Sequence, residues 1–245
     1  MSIRYCVIIP TYNNSGTVAD VVERALKVCP DVIVVNDGST DNTVDILCGL
    51  NIIRLDHERN QGKGKALKTG LNYASLNGYT HAVTLDADGQ HFPEDIPLLI
   101  EASREHPDSL IVGCRNLVSE NMPRQNTFAN RFSNFWFRLQ TAQKLDDTQS
   151  GFRVYPLDNL HGMRLITSRY EAELELMVFA AWHGVTVKGV PVRVWYAPEG
   201  ERVSHFRPFQ DFLRITVLNT ILCFGALFYA LPAALIRKIT GKSHG

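Results

Sequence analysis

From residue 5 to residue 113 the chain alternates short apolar runs with stretches of helical periodicity, and this alternation restricts the fold more than any single motif does. The apolar runs cover residues 5–9, 32–35, 51–55, 81–85 and 110–113. Between the first two, Val18, Val21, Val22, Ala25 and Leu26 recur at helical spacing after the candidate caps Ser15 and Thr17, and the pattern stops before Pro30. Residues 41–50, 65–76 and 94–105 read as further helices. Such alternation predicts an α/β fold: a mostly parallel, doubly wound sheet with helices on both faces. In such sheets ligands lie outside the carboxyl ends of the strands, which puts Thr11, Asp37, Asn60 and Asp86 on one rim.

After Arg115 the alternation breaks. Residues 126–141 look helical, 151–155 strand-like, 172–183 helical with Gly184 as the stop, and 185–196 read as a strand pair or one bent strand. The charge balance of 25 basic against 25 acidic residues offers no overall attraction to a nucleic-acid backbone, which argues against that partner. The five cysteines, Cys6, Cys29, Cys48, Cys114 and Cys223, are odd in number and include no Cys-x-x-Cys pair, so they read as reduced core residues of a cytosolic compartment. The opening MSIRYCVIIP runs straight into a strand and is too short for a secretory signal core.

The stretch LDADGQH, Leu85 to His91, brings two carboxylates, Asp86 and Asp88, to the end of a buried strand. Carboxylate oxygens suit Mg²⁺ or Mn²⁺, and Mg²⁺ is typically held by one or two carboxylates plus substrate phosphates, which makes a diphosphate-bearing substrate the natural partner. A bare Asp-x-Asp also serves to cap a turn before a helix such as the one Pro93 announces. The NQGKGKA segment lacks both the Lys-Ser/Thr ending of a Walker motif and the third glycine of a dinucleotide fingerprint.

Five blocks in order, VIIPTYNN, VVNDGSTDNT, NQGKGKALKTG, DADGQHFPEDI and DTQSGFRVY, resemble the family 2 inverting glycosyltransferases, in particular the branch of polyprenol-phosphate sugar synthases such as dolichol-phosphate mannose synthase. The resemblance runs from about residue 5 to about residue 205. It implies the nucleotide-diphospho-sugar transferase (GT-A, Rossmann-like) fold, a GDP- or UDP-sugar donor, and Mg²⁺ or Mn²⁺ held by Asp86, Asp88 and Gln90, with Asp88 the direct ligand. It also implies donor contacts from Pro10, Thr11, Tyr12, Asn13, Asp37, Gly38, Asn60 and Lys63, with Gly62 and Gly64 letting the backbone approach the nucleotide. Asn36 stands where many relatives carry a second Asp.

For the second half the resemblance implies an acceptor side. Arg115 and the segment Asn130-Arg131-Phe132-Ser133, with Arg131 and Ser133 foremost, would grip the acceptor's phosphate, a task that suits the guanidinium fork. Asp147, Gln149 and Arg153 would face the junction of sugar and acceptor, and Glu173 is similar to the family's acid near the active site. Arg202 and His205 would close a cationic flap, His205 standing where many relatives have Lys. A hydroxyl acceptor needs a base, for which Asp147, Glu171, Glu173 and Glu175 are candidates, whereas a lipid phosphate is already an anionic nucleophile and needs none.

Residues 215–236 carry no charge, and roughly 20 apolar residues suffice to cross a bilayer. Thr216, Asn219, Thr220, Gly225 and Pro232 dilute the run, however, and FRPFQDFLR before it mixes aromatics with arginines as interfacial helices do. The sequence therefore divides into a catalytic domain, 1–205, and an amphipathic or apolar membrane-associating segment, 206–245, attached at the cytoplasmic face; a helix pair packed on the domain or at a homodimer seam is the other reading. The function expected is metal-dependent, inverting transfer of a sugar to a membrane lipid, foremost a polyprenyl phosphate. Transfer to a hydroxyl of a lipid or glycan, and a non-catalytic membrane adaptor on a transferase scaffold, are the alternatives.

Overall fold

A computed structural model describes residues 3–115, 124–163, 166–195, 208–230 and 232. Seven strands form one sheet: β1 (Tyr5–Thr11), β2 (Val32–Asn36), β3 (Ile53–Asp56), β4 (His81–Thr84), β5 (Leu110–Arg115), β6 (Arg153–Pro156) and β7 (Val187–Val192). The order across the sheet is β3-β2-β1-β4-β6-β5-β7, and all neighbours run parallel except β6, which is antiparallel to both β4 and β5. The 185–196 segment is thus one strand beside β5, continued by a bridge from Val194 to His91.

Side-chain alternation along the strands feeds two cores. Cys6 and Ile8 of β1 and Ile33 and Val35 of β2 point to the face covered by α3 (Lys63–Leu76), α5 (Arg124–Thr141) and α6 (Glu171–Trp182). Val7, Ile9, Val32 and Val34 point to the other, under α1 (Val18–Val28), α2 (Thr43–Cys48) and α4 (Ile96–Glu105). A central strand covered on both sides needs apolar residues at every position, which is why these runs read as continuous rather than alternating. The apolar spacing of α1 has its counterpart in the burial of Val18, Val21, Val22 and Ala25. All five cysteines are free, but Cys48 is exposed, at the solvent end of α2 rather than in the core.

The one antiparallel strand positions the site. A parallel strand presents its end at the ligand rim; β6 presents its beginning there instead. Arg153 pairs with Thr84 of β4 and Val112 of β5, so the loop before it, residues 147–152, arrives beside the loop that follows β4.

The last described helix, α7 (Pro208–Gly225), continues into a π-helical turn, Ala226–Ala230. Leu218 and Leu222 belong to the core under α5 and α6, Gln140 of α5 donates to Asn219 Oδ1 at 3.0 Å, and Trp182 of α6 lies against Gly225. The opposite stripe, Val217, Ile221, Phe224 and Phe228, is more than half exposed. No helix among the described residues is long and apolar enough to cross a membrane.

Candidate active site

Asp86 and Asp88 follow β4 directly. The turn that carries them is held by Thr17 Oγ1, which donates to the Ala87 carbonyl at 2.6 Å, and by the Gln90 amide, which donates to Asp88 Oδ1 at 2.9 Å. Gly151 lies flat against the Asp86 carboxylate: a Cβ there would stand 2.7 Å from Oδ2. Burial pushes both acids up. For Asp86 the Lys63 ammonium overrides it and holds the carboxyl below the usual range, whereas Asp88, buried beside the charge of Asp86, is raised to about 6. Among the described residues no three His, Cys, Asp or Glu side chains group to hold a metal. The hard donors that the turn brings together are the two carboxylates, Asp86 and Asp88. That set fits a hexacoordinate Mg²⁺ or Mn²⁺ sharing its remaining positions with water or phosphate.

Lys63 stands opposite. Its Nζ lies 2.7 Å from Asp86 Oδ1 and 2.8 Å from Glu173 Oε1. Two glycines fix it there. Gly62 has φ +99, and a Cβ on it would stand 2.6 Å from the Ser168 carbonyl; a Cβ on Gly64 would stand 2.7 Å from the Arg169 carbonyl and strike the Ala172 methyl. These glycines let α3 approach residues 168–172 at the start of α6. Behind Glu173, the buried Arg153 donates through Nε to Ser150 O at 2.7 Å and through its Nη atoms to Thr148 O at 3.0 Å and Glu173 O at 2.8 Å. Arg153 spends its fork on the protein; it is a positioning residue and does not face the cleft.

Across the rim, Asp37 is buried just after β2. Its carboxylate accepts the Gln61 amide at 2.9 Å and the Gly62 amide at 2.8 Å, and His57 Nδ1 lies 2.7 Å away. Asp37 thus pins the NQGKGK loop at the head of α3, and Gly38 lets the Arg59–Asn60 peptide press against it. Asn36 is buried as well: its Oδ1 accepts the Ser39 amide at 3.0 Å and its Nδ2 donates to Asp56 Oδ1 at 2.9 Å. An Asp at 36 would face Asp56 charge to charge, so Asn here is matched to Asp56. Pro10 and Thr11 end β1, and the Asn13 side chain accepts the Thr40 amide at 2.8 Å, joining the β1 and β2 loops beside the half-buried Tyr12.

On the other side, Asp147 is fully buried and accepts from five donors: the Arg115 amide, Nε and Nη2, the Asn130 side chain and the Gln149 amide. Burial raises its pKa, and the Arg115 contacts, at 2.6 and 2.9 Å, more than offset that, holding it below the usual range. Asp147 is therefore no general base; it orients Arg115. Glu175 is likewise saturated by the Ile166 and Thr167 amides and the Thr167 hydroxyl, and Glu171 is buried. Of the four acids considered for proton removal only Glu173 reaches the cleft, and it is paired with Lys63. Ser133 is buried and accepts from the Thr148 hydroxyl at 2.8 Å, bracing the same loop, while Arg131 and Gln149 are exposed. Arg202 and His205 lie outside the described residues.

Asn130, which the sequence places in the acceptor-gripping segment with Arg131 and Ser133, is buried and donates to Asp147. Two contributors escaped the sequence. His57 acts on Asp37 and follows β3 at the same rim that flagged Asn60. His91 is buried against Phe152, its Nδ1 without a hydrogen-bond partner, and burial lowers its pKa to about 4. Nothing local separates such a histidine from a surface one.

Comparison with known proteins accords with this geometry. Residues 6–158 match the model of Glycosyl transferase family 2. The chain is 32% identical over 213 residues to the UDP-N-acetylglucosamine–dolichyl-phosphate N-acetylglucosaminyltransferase of Methanococcus voltae, covering 78% of this chain and 85% of that one. It is 30% identical over 203 residues to the polyprenol monophosphomannose synthase of Mycolicibacterium smegmatis, covering 77% and 76% respectively. Among solved structures, glucosyl-3-phosphoglycerate synthase of Mycobacterium tuberculosis, in complex with Mn²⁺, UDP-glucose and phosphoglyceric acid, superposes with a TM-score of 0.64 at 16% identity, over 92% of this chain and 80% of that one. At that identity the likeness speaks for the fold.

Proposed function

The chain belongs to glycosyl transferase family 2 and is a glycosyltransferase, and from that premise we propose that it moves a sugar, with inversion, from a nucleotide-diphosphate donor to a polyprenyl phosphate. The observation that carries this reading is the pairing of a two-carboxylate site, Asp86 and Asp88, with a guanidinium, Arg115, whose orientation is fixed by Asp147. The acids considered for proton removal are saturated, buried or ion-paired. A hydroxyl acceptor would want one of them free, whereas a phosphate monoester attacks as the anion it already is. The relatives named for dolichyl-phosphate and polyprenol substrates support the same choice.

When bound, Mg²⁺ or Mn²⁺ on Asp86, Asp88 and Gln90 would neutralise the charge that develops on the departing diphosphate. Lys63 adds a second positive charge at that place. The loop pinned by Asp37 and the Pro10–Asn13 turn form the donor's seat, and Arg115, with the exposed Arg131 of α5, receives the acceptor phosphate. The apolar stripe of α7, together with the exposed Phe135 and Leu139 of α5, would rest on the cytoplasmic face of the membrane where the acceptor lies. The described part of the 206–245 segment, α7, then faces the membrane with one stripe and packs into the core with the other.

The test is transfer from a panel of UDP- and GDP-sugars, with Mn²⁺, to a short polyprenyl phosphate and to the matching polyprenol. Product on the phosphate alone, with inverted anomeric configuration, is expected; turnover on the alcohol alone would overturn the acceptor assignment. Asp88→Ala should lower transfer by about 10³-fold or more while the protein stays folded, as expected for loss of a group acting on transition-state charge.

A further inference from the structure

Lys63 is held too well to be only a ligand for a passing substrate. Its ammonium touches Asp86 at 2.7 Å and Glu173 at 2.8 Å, the Tyr170 ring lies beneath it at 5.9 Å, and the two glycine contacts at 62 and 64 seat the first turn of α3 on the first turn of α6. Without donor, then, Asp86 already has a cation. Glu173 offers that cation a second seat, and is itself fixed from behind by Arg153, whose Nη1 donates to its carbonyl and whose Nη2 lies 3.9 Å from its Oε2.

We propose that Lys63 is an exchangeable internal counter-ion of Asp86 that makes divalent-metal binding conditional on the nucleotide diphosphate, with Glu173 the positioning residue that receives it. The proposal rests on the metal reading given above. A divalent ion arriving alone on Asp86 and Asp88 brings its charge beside an ammonium that already neutralises Asp86, and the like charges oppose one another. An ion arriving with a nucleotide diphosphate brings compensating anions, towards which Lys63 can turn while Glu173 keeps it nearby. The bare protein therefore takes up metal weakly and the nucleotide-loaded protein takes it up well.

Two substitutions at the same ion pair then have opposite effects on metal binding, which loss of packing would not produce. Mn²⁺ binding is measured by the electron-spin-resonance signal of the free ion, with and without UDP or GDP, on full-length protein whose folding is checked by circular dichroism. Lys63→Gln should bind Mn²⁺ alone at least tenfold more tightly than wild type, and the gain that nucleotide gives should largely vanish. Glu173→Gln should bind Mn²⁺ alone severalfold more weakly, because Lys63 then has only Asp86, and this loss should disappear in the Lys63→Gln background. Unchanged or weaker Mn²⁺ binding by a folded Lys63→Gln protein would overturn the proposal. If that variant does not fold, Glu173→Gln decides: equal or tighter binding overturns it. Failure of the metal reading looks different, since Mn²⁺ would then not bind wild type even with nucleotide, or Asp88→Asn would bind it undiminished.

Discussion

The two halves of the site each contain a buried acid that holds a loop, and they build it from different materials. After β2, Asp37 accepts main-chain amides four and five residues beyond His57, which follows β3, so the loop is tied by its own backbone. Before β6, Asp147 is satisfied mainly by side chains, Arg115 from β5 and Asn130 from α5, which come 32 residues before it and 17 residues before it. The first arrangement follows from strand-helix alternation, because every parallel strand ends at the same rim. The second requires an antiparallel strand inserted between β4 and β5 and a helix laid over it. The Asp37 loop is therefore a property of the sheet, and the Asp147–Arg115 cluster a property of one polar network.

The sharpest way to break this contrast is Asp147→Ala. It leaves Arg115 and Asn130 without their acceptor and should cost on the order of 3 kcal/mol by denaturant unfolding, together with a large rise in KM for the acceptor and little change in that for the donor. A donor KM that rises equally would mean the halves are not separable. Acid should act through a buried group between them. His91 has its pKa lowered from 6.5 to about 4, so folding favours the neutral ring; its contribution is complete above pH 6.5 and is lost as pH falls from there towards 4, by up to about 3 kcal/mol. Thermal unfolding across that range should show a drop that His91→Gln flattens.

A smaller effect is expected from Gly64→Ala, which forces α3 away from α6. A cost of about 1–3 kcal/mol is anticipated from overpacking, with a rise in donor KM as Lys63 is displaced. If the methyl is absorbed without either change, the α3–α6 seam does not set Lys63. The smallest stability effect belongs to the exposed stripe: Phe224→Glu should shift unfolding by within about 0.5 kcal/mol yet weaken co-sedimentation with anionic-lipid vesicles. Unaltered sedimentation would detach α7 from the lipid surface.

The inner strands β1, β2, β4 and β5 are legible because burial on both faces demands continuous apolar runs, and Asp86, Asp88 and Asp37 because strand ends converge at one rim. Glu173 and Lys63 were both flagged, but their pairing was not, since 110 residues separate them and no periodicity connects α3 to α6. The same distance blindness made Asp147 read as a base: an acid's pattern in sequence is the same whether it is free or holds five donors. The glycines at 62 and 64 announced a close approach without saying to what.

The order of the elements, the apolar faces that build two cores and the carboxylates at strand ends are written along the chain, because they depend on periodicities of two and 3.6 residues and on local turn chemistry. That β6 runs against its neighbours, that Arg153 and Asp147 are spent on positioning, and that Lys63 already neutralises Asp86 came from packing alone. Those outcomes depend on which charged groups share a low-dielectric space and how many donors each one meets, and that sharing is set by packing across the sheet and not by any interval along the chain.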